Sequence, residues 1–205
     1  MDLSAPFSSM FPTVDSSVLT VLTRAEKPRS GREVATEANR SPRATKLVLD
    51  RLVAHGLVLR QEIGRAQAYT LNWDHLAAAP VAQMANLRLA LFQRLREAVE
   101  TWDPLPLHAS VFGSAARGDG GLDSDVDIFL VRPKAVDEDD PKWREQVHAL
   151  AEAVFRWTGN HAGISEISEE ELERLRRDRP PIVESLLSDA VNIAGTSIRT
   201  LLRRM

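Results

Sequence analysis

Two aspartates one residue apart, Asp125 and Asp127, stand behind a glycine-serine step, Gly113 and Ser114, in the stretch VFGSAARGDGGLDSDVDIFLV at residues 111–131. Residues two apart on a strand project to the same face, so the two carboxylates converge if they open the apolar run DVDIFLV. The preceding run LHASVFG, residues 107–113, reads as a buried strand ending in a glycine. Ser114 then opens a short turn or helix, SAARG, whose free backbone N–H groups suit a phosphate. Hard divalent ions take oxygen ligands, and magnesium or manganese combines one or two carboxylates with the oxygens of ATP or another nucleoside triphosphate. Such a pair can also anchor two metals for phosphoryl or nucleotidyl transfer. Two aspartates capping a strand edge would explain the glycine-rich loop. They would not explain two carboxylates at the head of an apolar strand directly behind a Gly-Ser turn.

The segment GSAARGDGGLDSDVD resembles the signature of the polymerase-beta-type minimal nucleotidyltransferases, a Gly-Ser followed about ten residues later by Asp-x-Asp. The resemblance extends over about residues 105–175. It implies that Gly113 and Ser114, with Ser124, hold the triphosphate, and that Asp125 and Asp127 bind the metal and serve catalysis. It also implies that Arg117 braces the loop or touches phosphate. Members of that family add a third carboxylate from a later strand, able to draw a proton from the attacking hydroxyl. HAGISEIS, residues 161–168, is the natural strand for it, and Glu166 is its only carboxylate. Spacing back from EEEL puts Ser165 at that position instead, and neighbouring strand residues face opposite sides. Glu166 is the candidate catalytic group to be tested.

The elements ahead of this site have a different character. VDSSVLTVLTRA, residues 14–25, carries apolar residues at helical spacing, and Ser30 followed by Glu33 forms a capping box for a short second helix. A third helix opens at Ser41 with Pro42 in its first turn and stops at Gly56. Leu49, Leu52 and Val53 are expected to face the core, with Arg43, Thr45, Lys46 and Asp50 outward. LVLRQEI and AQAYTLN then flank Gly64-Arg65 as two strands of a hairpin. Through RLVAHGLVLRQEIGRAQAYTLN, this segment resembles the MarR-like and ArsR-like winged helix-turn-helix domains over roughly residues 14–75. Reading double-stranded DNA needs donors at the start of the recognition helix and cations where phosphates pass. Ser41, Arg43, Thr45 and Lys46 would supply the first set, and Arg40, Arg60 and Arg65 the second.

Between the two lies VAQMANLRLALFQRLREAVETW, whose apolar repeat through Met84, Leu87, Leu91, Leu95 and Val99 predicts an amphipathic helix of about six turns. It either packs on the back domain or pairs with its copy in a homodimer, the form that palindromic operators favour. Asp140 is expected to cap a helix starting at Pro141, and the tail beyond residue 169 reads as short helices broken at Pro180-Pro181 and Gly195. His108, His148 and His161 lack metal spacing.

The expected architecture is therefore α/β (α+β): an N-terminal winged helix-turn-helix over 1–78, a connecting helix over 79–103, and a nucleotidyltransferase-fold mixed sheet with flanking helices over 104–205. The 205 residues contain no cysteine, which excludes disulfides, thiolate zinc sites and cysteine nucleophiles. The start lacks the features of a signal peptide and no apolar run is long enough to span a membrane, so no membrane partner and a cytoplasmic location are expected. The net charge of −3 divides into a small basic excess before residue 81 and an acidic excess after it. Two functions compete. One is a transcription regulator whose back domain binds a nucleotide with magnesium. The other is an active nucleotidyltransferase acting on a protein, RNA or small-molecule hydroxyl, with a toxin-antitoxin role as a subsidiary form of either.

Overall fold

The computed structural model describes residues 1–64 and 66–203. Contacts group the chain into two units, residues 5–87 and residues 1–4 with 88 onward. In the first, α1 (Pro6–Met10) leads into α2 (Val14–Arg24), whose cap Thr13 accepts a hydrogen bond from the Ser16 amide. A two-residue strand β1 (Arg29–Ser30) precedes α3 (Gly31–Glu37), and the reciprocal Ser30–Glu33 capping box forms as expected. Ser41 caps α4 (Pro42–Ala54), and Gly56 turns the chain with φ +78°. The hairpin β2 (Val58–Ile63) and β3 (Ala66–Leu71) pairs antiparallel from Val58↔Leu71 to Ile63↔Ala66. β1 adds to the far edge of β3, giving the order β1-β3-β2. Val18, Leu22, Val34, Leu49 and Leu71 fill one core beneath the helices and hairpin. The helices α2, α3 and α4 followed by the β2–β3 wing make this unit a winged helix-turn-helix.

The expected single connecting helix is two helices. α5 (Ala78–Ala85) ends where the Asn86 amide donates to the carbonyls of Ala82 and Gln83, and α6 (Leu87–Glu100) starts directly after it. The Asn86 side chain also donates to the Ala82 carbonyl at 2.9 Å, the local competition with backbone bonding that makes asparagine a helix terminator.

In the second unit, β4 (His108–Val111), β5 (Val126–Arg132), β6 (Ala162–Ser168) and β7 (Val191–Gly195) form a mixed sheet of order β6-β5-β4-β7. β5 runs parallel to β6, while β4 runs antiparallel to both β5 and β7. Between them lie α7 (Gly113–Arg117), α8 (Pro141–Thr158), α9 (Glu169–Asp178) and α10 (Pro181–Ser188), with α11 (Ile198–Arg203) last. The Asp140 side chain caps α8 by accepting from the Trp143 amide at 2.9 Å. Alternation along β5 divides its side chains between two cores. Ile128 and Leu130 join Leu95, Trp143, Leu150 and Val154, whereas Phe129 and Val131 join Leu172, Leu186 and Leu201. His108 is fully buried on β4, with Nδ1 2.8 Å from the Thr196 carbonyl and Nε2 2.8 Å from the Ser110 hydroxyl. Burial pushes its pKa down to about 4. Among the described residues, no helix is long and apolar enough to cross a membrane.

Candidate functional site

Asp127 is the second residue of β5, and its carboxylate is bracketed by two glycines. Gly113, at φ +65°, begins α7 directly after Phe112, and a Cβ added there would stand 2.5 Å from Asp127 Oδ2. Gly163 lies opposite Asp127 in the β5–β6 register, and a Cβ there would stand 3.1 Å from Oδ1. No other residue permits this approach of backbone to carboxylate at Gly113, because the positive φ and the collision both require glycine. The Phe112 amide donates to the Asp127 carbonyl at 3.0 Å, fixing the turn against the strand. Burial first, and the Asp125 carboxylate second, push the Asp127 carboxyl above the ordinary aspartate range, while Arg117 opposes them. Asp125 is thus near enough to act on Asp127 through space.

The rest of the loop packs by hydroxyls and glycines. A Cβ at Gly120 would meet Ser114 Oγ at 2.9 Å and Ser124 Oγ at 3.1 Å, so this glycine sits against both serines. Ser124 Oγ accepts from the Gly121 amide at 2.9 Å. Behind it, buried Asn160 donates to the carbonyls of Ser124 at 2.8 Å and Leu122 at 3.2 Å. Gly118 ends α7 at φ +78°, its amide donating to the Ser114 carbonyl. Arg117 donates to Asp119 at 2.9 Å and to Asp189 at 2.7 Å. Those bonds raise its pKa and hold the Asp189 carboxyl low. Of the two roles the resemblance implies for Arg117, the observed bonds are those of a brace.

Glu166 requires a correction. It lies opposite Leu130 in the register, on the face away from Asp127, and pairs with the guanidinium of buried Arg132. Strand alternation dictates this: Gly163 and Ser165 share the Asp127 face, and Glu166 falls between the side chains that do. Among the described residues, no group of three or more histidine, aspartate or glutamate side chains is arranged to hold a metal.

The candidate nucleic-acid face also changes by one residue. Thr45 is fully buried, with its hydroxyl unpartnered, because Thr45, Val48, Leu49 and Leu52 form the inward stripe of α4. It cannot read bases. Arg40 and Arg43 are exposed and form no ion pair among the described residues. Ser41 is exposed, but its hydroxyl is occupied as the α4 cap, accepting from the Ala44 amide at 3.3 Å. Lys46 pairs with Asp50 at 2.8 Å, and Arg60 on β2 reaches the same carboxylate at 3.7 Å. The Asp50 hydrogen bond raises the Lys46 pKa. Arg65 lies outside the described residues.

Sequence reasoning passed over Gly163, Asn160, Gly120 and Arg88. Gly163 had a signal, since a glycine at the head of a strand often marks a close approach. Arg88 and Asn160 act through partners distant in sequence, and nothing local marks them, whereas Gly120 packs within its own loop.

No curated protein matches the chain. Solved structures similar to it include a MarR family transcriptional regulator from Silicibacter pomeroyi, 20% identical, covering 47% of this chain and 72% of that one at a TM-score of 0.36. The regulator BldR from Sulfolobus solfataricus is 23% identical, covering 50% and 74% at 0.32. ZitR from Lactococcus lactis in complex with DNA is 21% identical, covering 44% and 62% at 0.31. The chain spans 30% of the length of human N-acetylserotonin methyltransferase and 59% of a ZitR variant, two further similar structures. Residues 93–194, which include the paired aspartates and both bracketing glycines, match the family model described as the nucleotidyltransferase domain, and the C-terminal part of the chain therefore carries a domain of that type.

Proposed function

We propose that this protein is a DNA-binding transcription regulator whose nucleotidyltransferase-type domain binds a nucleoside triphosphate with a divalent cation as a ligand, without transferring it. The observation that carries the reading is the β5–β6 register. It sets Asp127 opposite Gly163 and turns Glu166 to the other face, where Arg132 holds it. The residues suit a hard cation, since two carboxylates lie close enough to raise the Asp127 pKa and two glycines clear the space beside its oxygens. Magnesium or manganese would be held by Asp125 and Asp127, where it would offset their repulsion and the charge of the triphosphate. Gly113, Ser114 and Ser124 would then receive the phosphates. Arg40, Arg43, Lys46 and Arg60 would meet DNA phosphates or base edges, in a cytoplasmic protein that binds palindromic sites as a homodimer.

The division of labour proposed is DNA binding by residues 1–78 and nucleotide binding by residues 104–205, joined through 79–103. The paired aspartates alone favour the competing reading, an active transferase, because they are the part of the machinery that this chain retains. Purified protein and an Asp125→Asn/Asp127→Asn variant, each with labelled ATP and then the other triphosphates plus magnesium, decide between them. The regulator predicts saturable binding that the variant loses, with no pyrophosphate release by either protein. Release by the wild type that vanishes in the variant would replace the regulator with an enzyme. Absence of binding to every triphosphate would leave a DNA-binding protein with a degenerate site.

A further inference from the structure

We propose that Arg88 is a positioning residue through which the state of the nucleotide loop is passed to the winged-helix unit, an inference that rests on the regulator reading above. Arg88 is half-buried near the start of α6, and its Nη1 donates to the Ala116 carbonyl at 3.1 Å. That carbonyl belongs to the last turn of α7, where backbone acceptors have no helical partner, so the guanidinium caps the short helix behind the Gly-Ser turn. The same guanidinium covers Gly118. A Cβ at that position would overlap Nη1 and stand 2.7 Å from Cζ. The Gly118 and Asp119 amides in turn donate to the Ser114 carbonyl at 2.8 and 3.2 Å. Any ligand that shifts Ser114 or the turn beyond it therefore moves the surface on which Arg88 rests.

The other side of Arg88 is a short covalent path. Ala85, three residues earlier, ends α5, and its carbonyl accepts from Arg24 of α2 within the winged-helix unit at 3.1 Å. Asn86 interrupts the helix between them at φ −113°, ψ 23°. Yet the apolar repeat continues across the interruption through Met84, Leu87, Leu91, Leu95 and Val99, so this sequence is suited to one unbroken helix as well as to the two that form. In the regulator this segment would be broken at Asn86 in one state and continuous in the other, and a ligand would bias the two by its difference in affinity. Arg88 is the side chain on this segment that the nucleotide loop holds directly. Loosening it should shift the balance at Asn86, and ordering the loop with nucleotide should shift it the other way.

The test compares full-length wild type, Arg88→Ala and Arg88→Lys by amide hydrogen exchange without any ligand. The inference predicts about a tenfold faster exchange in Arg88→Ala at Gly118 and Asp119, and also at Asn86, with partial recovery in Arg88→Lys. Faster exchange confined to Gly118 and Asp119 would overturn it, because Arg88 would then serve the loop alone. The same proteins are next titrated with magnesium-ATP in the presence and absence of a duplex that the wild type selects from a random pool. Coupling between the two ligands, expected at about five- to a hundredfold in the wild type, should fall toward one in Arg88→Ala. Undiminished coupling in Arg88→Ala would also overturn the inference. A wild type that binds no triphosphate defeats the regulator reading, while the exchange at Asn86 still decides the role of Arg88.

Discussion

The winged-helix face and the aspartate site treat charge in opposite ways. On the first, Lys46 and Arg60 lean on Asp50, a carboxylate of their own unit, so part of the cationic surface is already balanced before any partner arrives. At the second, Asp127 is partly removed from water and feels the like charge of Asp125, with Arg117 opposing. Balanced charge can be maintained by a fold on its own, whereas crowded like charge costs stability and is retained where a ligand supplies the missing sign. The contrast extends to Glu166. It is the carboxylate the sequence offers for catalysis, and the structure has already given it a cation, Arg132.

The largest expected effect bears on the uncompensated pair. Asp125→Asn/Asp127→Asn should lower magnesium-dependent nucleotide affinity by about a hundredfold or more, since the hard cation loses both carboxylate ligands. Asp127→Asn alone should raise the melting temperature while weakening binding, because it relieves the repulsion from Asp125 at a half-buried carboxylate. A lower melting temperature would mean that the pair is compensated after all. His108 provides an internal reference with no proposed ligand. Its folded pKa of about 4 lies below the usual 6.5, so the unfolded chain takes up the proton first as pH falls. The associated stability is complete above pH 6.5 and declines toward pH 4, by about 3 kcal/mol in all. Denaturant titrations across that window in wild type and a His108→Gln variant should show a slope that the variant lacks.

Glu166→Gln should cost about 2 kcal/mol of stability, since it strands the buried Arg132 charge, and should leave nucleotide affinity within a factor of about two. A large loss of nucleotide binding with little loss of stability would return Glu166 to the site. The smallest effect is on the balanced face. Asp50→Asn releases Lys46 and Arg60, and DNA affinity at low salt should rise severalfold with a steeper salt dependence. An unchanged salt slope in a filter-binding series would show that neither cation meets a phosphate.

Local signals made most of the fold legible. The caps at Ser30, Ser41 and Asp140, together with the turn glycines Gly56 and Gly64, act over a few residues, and the elements they bound form where expected. β7 escaped notice because VNIAG sits inside a helical tail and becomes a strand only by pairing with β4, far away in the chain. β1 is two residues long and exists only through its bonds to β3. Thr45, expected outward, lies inward, as its spacing from Val48, Leu49 and Leu52 on one helix face dictates. At the site, the type and spacing of Gly113 and Asp127 fit the close approach of the turn to the carboxylate. The position of Glu166 was not legible, since it depends on register, and a one-residue slip reverses every side chain on a strand.

The pairing of β4 with β7 also sets a timetable. Val111, two residues ahead of the Gly-Ser turn, pairs with Val191, so the strand that presents the turn waits for about 80 further residues to be made. At roughly 5–20 residues per second that wait lasts about 4–16 s. The wing hairpin, whose strands are neighbours in sequence, needs no such delay. During synthesis the chain therefore passes through a stage in which the front unit has all its parts and the β4 edge is still open. That edge is what a chaperone, or a second nascent chain on the same messenger, would meet first.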